Sequence, residues 1–325
     1  MYLRKSLLSF VVINLITFLY LFMFLSNSEN PDYEAYEKIF NNASIEASWE
    51  PGYNFINYYF RLLWPDYDAF RLSAGLLYSL TFSLLFLHAR RISGVVPDLS
   101  LALMFGLMVG LLSFEYVAIR MRTGVMISFV NMAVVFYSYR YLVVKIFALI
   151  LIALAFSVHL YSAAVLAFYF MVVIIHRFVW SKVGFFSSCF LSSILYSCFY
   201  YIIGQFALES RSDWLSELNP YRFIYMGALP LVISIAFSFA FPLVKSVIHR
   251  DSFIMVFIAA CTALSVVYLS GFASLAGEAL VRVHSFLAYP LLLAALVCQR
   301  LDHKLIITSF VSLTFIVLMR SLHVW

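Results

Sequence analysis

The chain has 325 residues, of which 64% are hydrophobic and only 11% charged, with a mean hydropathy of +0.97. Soluble domains carry about a quarter charged residues, so that class is excluded. The apolar runs are too long and too unalternated for barrel strands, which leaves an all-α polytopic membrane protein. Its net charge of +5 then belongs to membrane topology rather than to nucleic-acid binding.

Read between charged breaks, the apolar runs predict about eleven transmembrane helices. They fall near 7–25, 72–88, 98–114, 123–139, 142–158, 160–175, 183–203, 223–244, 252–270, 283–299 and 305–320. The first follows Arg4-Lys5 and precedes Leu25-Ser-Asn-Ser-Glu-Asn, which has no small-residue cleavage site. It is therefore expected to stay as an uncleaved first helix. The whole chain, 1–325, reads as one integral-membrane domain with outer loops near 26–71, 204–222 and 271–282. Cys189, Cys198, Cys261 and Cys298 all lie inside apolar runs without metal-type spacing, so they read as small core residues.

Placing the N-terminus in the cytoplasm puts twelve cations against three acids in the inner loops, as the positive-inside rule demands. Seven of those twelve are Arg and five are Lys. The outer cations are Lys38 and eight arginines: Arg61, Arg71, Arg120, Arg122, Arg211, Arg222, Arg282 and Arg320. A rigid, always-charged fork grips phosphate or carboxylate in bidentate fashion and Lys does not. Some of these arginines should pair with outer acids, and a subset is expected to read an anion near the outer bilayer surface.

The first outer loop is acidic and aromatic. Tyr33, Tyr36 and Phe40 recur at three and four residues, the spacing of one face of a short amphipathic helix lying on the membrane surface. Pro51-Gly52 reads as a chain break, and Pro65 as a second one before the next span. The loop Gln205–Arg222 is again polar and aromatic, and Gly271–Arg282 holds Glu278 and Arg282. Between two spans, Glu115-Tyr-Val-Ala-Ile-Arg-Met-Arg-Thr-Gly124 plants a carboxylate and two arginines on one membrane face. Those arginines either snorkel to the interface or serve a site. If the segment stays helical, residues two apart point about 200° apart, and at most one of Arg120 and Arg122 then faces a common cavity. Arg122, seven residues after Glu115 and on its face, is the better candidate.

Candidate proton-handling groups on the same face are Asp32 just after the first span, Glu50 ahead of Pro51-Gly52-Tyr53, and His159 at the outer end of the fifth span. A lone His at a helix end is often only an interfacial residue, yet it titrates near neutrality and can shuttle a proton. No nucleotide loop, metal-ligand cluster or internal repeat is visible.

Asp32-Tyr-Glu-Ala-Tyr36 with Phe40, Glu50-Pro-Gly-Tyr53, Arg122-Thr-Gly-Val-Met-Ile127, His159-Leu-Tyr-Ser-Ala163 and Arg282 ahead of an apolar span together resemble, in that order, the EpsG-like branch of Wzy polysaccharide polymerases. The resemblance implies a membrane-embedded glycosyltransferase of the class C type (GT-C-like bundle) in the bacterial inner membrane. It implies a donor linked to undecaprenyl diphosphate and used on the periplasmic side, with Asp32 or Glu50 as the recurrent acidic position of the first outer loop. The expected partners are that lipid-linked oligosaccharide and membrane lipid, with a chain-length regulator as a further candidate; no nucleic acid is expected.

In such a reaction a sugar hydroxyl attacks the anomeric carbon and expels the lipid diphosphate, whose growing charge calls for prepositioned guanidinium forks. Arg122 and Arg282 come first, then Arg120 and Arg222. The base is Glu50, Asp32 or His159, and no metal or other cofactor is required. The rival readings are an O-antigen ligase, a membrane O-acyltransferase and a flippase for lipid-linked oligosaccharide. The flippase is the main non-enzyme rival, and against it charge gathers at one face rather than at the midplane.

Overall fold

The structure, a computed structural model, describes residues 2–25, 33–44, 50–92, 99–113, 117 and 121–159. Their main unit is Met1–Ser162, and every described element is helical. The elements are α1 (Tyr2–Leu25), α2 (Tyr33–Asn41), α3 (Pro51–Leu63), α4 (Tyr67–Ile92), α5 (Leu99–Ser113), α6 (Met121–Tyr137) and α7 (Leu142–Val158). The first five expected spans thus correspond to α1, α4, α5, α6 and α7. The six expected from 160 onward lie outside the described residues.

α1 has 24 residues and α4 has 26, about 36 Å and 39 Å at 1.5 Å per residue, enough to cross a hydrocarbon core of about 30 Å. α5, α6 and α7 are apolar but shorter. α4 starts at Tyr67, five residues before the expected span, because Tyr67, Phe70 and Arg71 are buried against the preceding loop instead of standing in water.

α1 packs chiefly along α5 and α4. On α5, Gly106 and Gly110 face α1 with the four-residue spacing that lets helix backbones approach closely. A Cβ on Gly106 would stand 3.2 Å from the Ile13 Cα, and one on Gly110 would stand 2.6 Å from the Tyr20 ring. Against α4, Asn14 makes a polar clamp. Its Nδ2 donates to Ser83 Oγ at 2.8 Å, and its Oδ1 accepts from Ser79 Oγ at 2.8 Å. The opposite side of α1 exposes Leu3, Leu7, Val11, Leu15, Leu19 and Phe22, a lipid-type surface.

α4 and α6 run in the same direction, since their last turns lead to a shared contact of His88 and Arg91 with Tyr139. Arg90, expected among the inner-loop cations, is fully buried. At the other end of the unit the outer loop folds down on the helices. Seven rings, Tyr33, Tyr36, Phe40, Tyr53, Phe60, Tyr67 and Phe70, form one continuous cluster joining α2, α3 and the start of α4. The expected amphipathic helix is α2, and Tyr36 and Phe40 are the residues it buries.

Candidate active site

The site is built where three helix ends meet. Glu50 is the residue immediately before α3, Arg122 lies in the first turn of α6, and His159 directly follows α7. Pro51 does not break the chain. It occupies the first helical position of α3, where its missing N–H costs nothing and its fixed φ favours the helix.

Glu50 starts the helix with its carbonyl, which accepts from the Asn54 N–H at 3.2 Å, but its carboxylate does not cap its own helix. The carboxylate turns to the other two elements. Arg122 Nη1 donates to Glu50 Oε2, and His159 Nδ1 lies 3.2 Å from Oε1. The His159 approach makes an ion pair with the carboxylate when the ring carries a proton. Arg122 Nε donates to the Tyr36 hydroxyl at 3.2 Å, and its guanidinium carbon stands 5.3 Å from the Tyr36 ring centroid and 6.0 Å from that of Tyr53.

Electrostatics explains why the three converge. A cation in the first turn of a helix opposes the macrodipole, so Arg122 gains nothing from its own helix. The Glu50 carboxylate and the two tyrosine rings are what stabilise it there. His159, by contrast, follows a helix C-terminus, where positive charge is favoured. Burial pushes the Glu50 carboxyl up, but His159 and Arg122 together more than offset this and hold it below the usual carboxylate range. Glu50 is therefore an anion at neutral pH. Arg122 has five N–H donors, of which Tyr36 and Glu50 take two. Its side chain is 34% exposed, which leaves a guanidinium edge open to a further anion.

The spacing is set by a glycine. Gly52 lies directly on Ser157, two residues before His159, and a Cβ at Gly52 would overlap the Ser157 hydroxyl and stand 2.7 Å from its carbonyl carbon. Gly52→Ala is accordingly expected to push α3 off α7 and separate Glu50 from His159. Overpacking of this kind costs about 1–3 kcal/mol. The expected readout is a lower midpoint of thermal unfolding in detergent; an unchanged midpoint would show that this contact is not close-packed.

Two other outer arginines have internal duties. Arg61 donates to the carbonyls of Phe40, Asn41 and Ala43, closing the C-terminus of α2. Arg71 is 2% exposed, with Nη1 3.0 Å from Asp68 Oδ1 and 3.3 Å from the Leu25 carbonyl, and its guanidinium lies over the Tyr33 ring. Asp32, Arg120, Arg222 and Arg282 lie outside the described residues, as does Glu115. Tyr36 was read from the sequence as part of an aromatic face and of the family motif, with no role towards Arg122. Its hydroxyl, one atom beyond a buried ring, is what fixes Arg122 in azimuth, and a Tyr rather than a Phe at that point of the stripe was the available signal.

Apolar helices with an ion cluster gathered at their ends, together with the family relationship, make this an integral membrane protein. The chain belongs to the EpsG family, whose model matches residues 11–324. No curated protein and no solved structure matches it.

Proposed function

We propose that this protein is a polysaccharide polymerase of the bacterial inner membrane, a GT-C-like glycosyltransferase that joins undecaprenyl-diphosphate-linked repeat units on the periplasmic side. The observation that carries the reading is the meeting of Glu50, His159 and Arg122 from three separate helix ends, in a chain of the EpsG family. In this reading the N-terminus is cytoplasmic, about eleven helices span the bilayer, and the cluster sits at the outer rim.

The acceptor is a sugar hydroxyl of one lipid-linked unit. Its oxygen forms the new bond to the donor's anomeric carbon, the bond from that carbon to the lipid diphosphate breaks, and the diphosphate leaves with the electron pair. The hydroxyl proton passes to the Glu50–His159 pair. Arg122 binds the departing diphosphate through its open edge, with Arg282, Arg120 and Arg222 as further anion ligands and Asp32 as an additional candidate base. A base within hydrogen-bond reach and a preset cation are what this chemistry needs.

Deletion of the gene, with complementation by the wild type or by site variants, tests the proposal. The expected result is surface polysaccharide reduced to single repeat units, with chains restored by the wild-type gene. Long chains accumulating on the lipid carrier would mean a ligase, and units trapped on the cytoplasmic side would mean a flippase. Either result overturns the proposal.

A further inference from the structure

α3 has two faces, and among the described residues one of them carries the packing. Tyr53 and Asn57 are fully buried, and Phe60 packs its ring 5.1 Å from that of Phe70. On the other side Phe55, Tyr59, Leu62 and Leu63 form a row at helical spacing, and all four are exposed, Leu63 to 84%. Trp64, also exposed, extends the row past the helix end. No charged side chain interrupts it, because Arg61, the one charged residue of α3, is turned to the carbonyls at the end of α2.

The two ends of α3 lie at one level. Its start is tied through Glu50 to the first turn of α6 and to the residue after α7. Its end leads through Trp64-Pro65-Asp66 into the first turn of α4. Phe70, in that first turn, touches Tyr53 near one end of α3 and Phe60 near the other. α4 and α6 run in the same direction, so all these points belong to one end of the unit. With 13 residues, about 20 Å, α3 is too short to cross a bilayer and runs along that end instead.

We propose that α3 is an in-plane helix whose Phe55–Tyr59–Leu62–Leu63 row is seated in the outer leaflet at the boundary of headgroups and acyl chains. The partner is the lipid surface itself. An uncharged row of large apolar side chains with aromatic residues among and beside it has the composition of membrane-interface anchors. α4 likewise leaves an apolar row exposed, Leu76, Leu80 and Leu84 at four-residue spacing, which is the kind of surface a bilayer covers. The consequence is positional. Glu50, at the start of α3, is held at headgroup depth, level with the phosphate of any lipid-linked molecule in that leaflet. This inference rests on the membrane-protein reading and not on the glycosyl-transfer chemistry.

The test uses the full chain with its four native cysteines replaced, carrying a single cysteine in turn for Phe55, Tyr59, Leu62 and Leu63. Each variant is spin-labelled and reconstituted in bilayers of phosphatidylethanolamine and phosphatidylglycerol, with a label at Leu80 as the deep reference. All five positions are exposed, so labelling is compatible with folding, and a monodisperse elution profile is required before reconstitution. Collision with oxygen is expected to exceed collision with a water-soluble nickel chelate several-fold at all four positions, at a depth shallower than Leu80. Nickel exceeding oxygen would place the row in water, and low collision with both would place it under protein, whether a second copy or the rest of this chain. Either outcome overturns the proposal, whatever the fate of the polymerase assignment.

Discussion

Arg122→Lys is expected to lower polymerisation by about 10²- to 10³-fold, the usual loss when one preset donor to a developing oxyanion is removed. Lysine keeps the charge. It lacks the fork that lets one side chain donate to the Tyr36 hydroxyl, to the Glu50 carboxylate and to a third anion at once. The measurement is chain length and turnover with lipid-linked repeat units in reconstituted membranes, at matched protein level. Wild-type turnover in this variant would show that a point charge suffices and would remove bidentate anion binding from the mechanism. Arg61→Lys is the useful contrast, because Arg61 serves backbone carbonyls and its loss should appear as lowered stability rather than as a changed rate.

Glu50→Gln is the second large effect, an expected loss of about 10²- to 10⁴-fold, the range for removing a general base. It also carries a signature in pH. The folded-state value of Glu50 is depressed, so its contribution to stability is complete above the ordinary carboxylate value and is lost only as pH falls through the lower folded value. The stability difference between wild type and Glu50→Gln, measured by thermal unfolding in detergent, is therefore expected not to fall from neutral pH down to the ordinary carboxylate range. It should shrink only below that. A difference that begins to fall already between pH 7 and pH 5 would show that the carboxylate is not held by Arg122 and His159. His159→Ala separates the roles within the pair: a turnover loss comparable to that of Glu50→Gln marks the two as one proton-handling unit.

Much of the helical frame was legible because apolar run length responds directly to bilayer thickness. α7 begins and ends at the residues expected, and α5 and α6 differ by one or two. Where boundaries moved, specific contacts moved them: α4 gained a turn and a half because its first residues join the ring cluster. Pro51-Gly52 was misread as a break, since the signal that ends one helix also begins another when the proline falls at the first position. The site was legible as a set of residue types on one face and not as a constellation. Arg122 was read from the sequence beside Glu115, which lies outside the described residues; among the described residues the carboxylate that meets the guanidinium is Glu50, separated from it by 72 residues. Pairings across that distance depend on how α3 crosses α6 and α7, and periodicity carries no information about crossing. The outer arginines teach the same lesson. Arg61, Arg71 and Arg122 are the same side chain on the same face, but one closes a helix, one is buried under tyrosines and one keeps an open edge.

The Asn14 clamp has a consequence for biogenesis. During synthesis α1 enters the bilayer well before Ser79 and Ser83 have left the ribosome, so its amide must wait in the translocation machinery or in lipid without those two partners. Its Nδ2 still donates to the Phe10 carbonyl within α1 at 2.8 Å, but the second N–H and the Oδ1 are left open among acyl chains, which is unfavourable by roughly 1–3 kcal/mol. That penalty favours the pairing of α1 with α4 as soon as the second long helix has entered the bilayer.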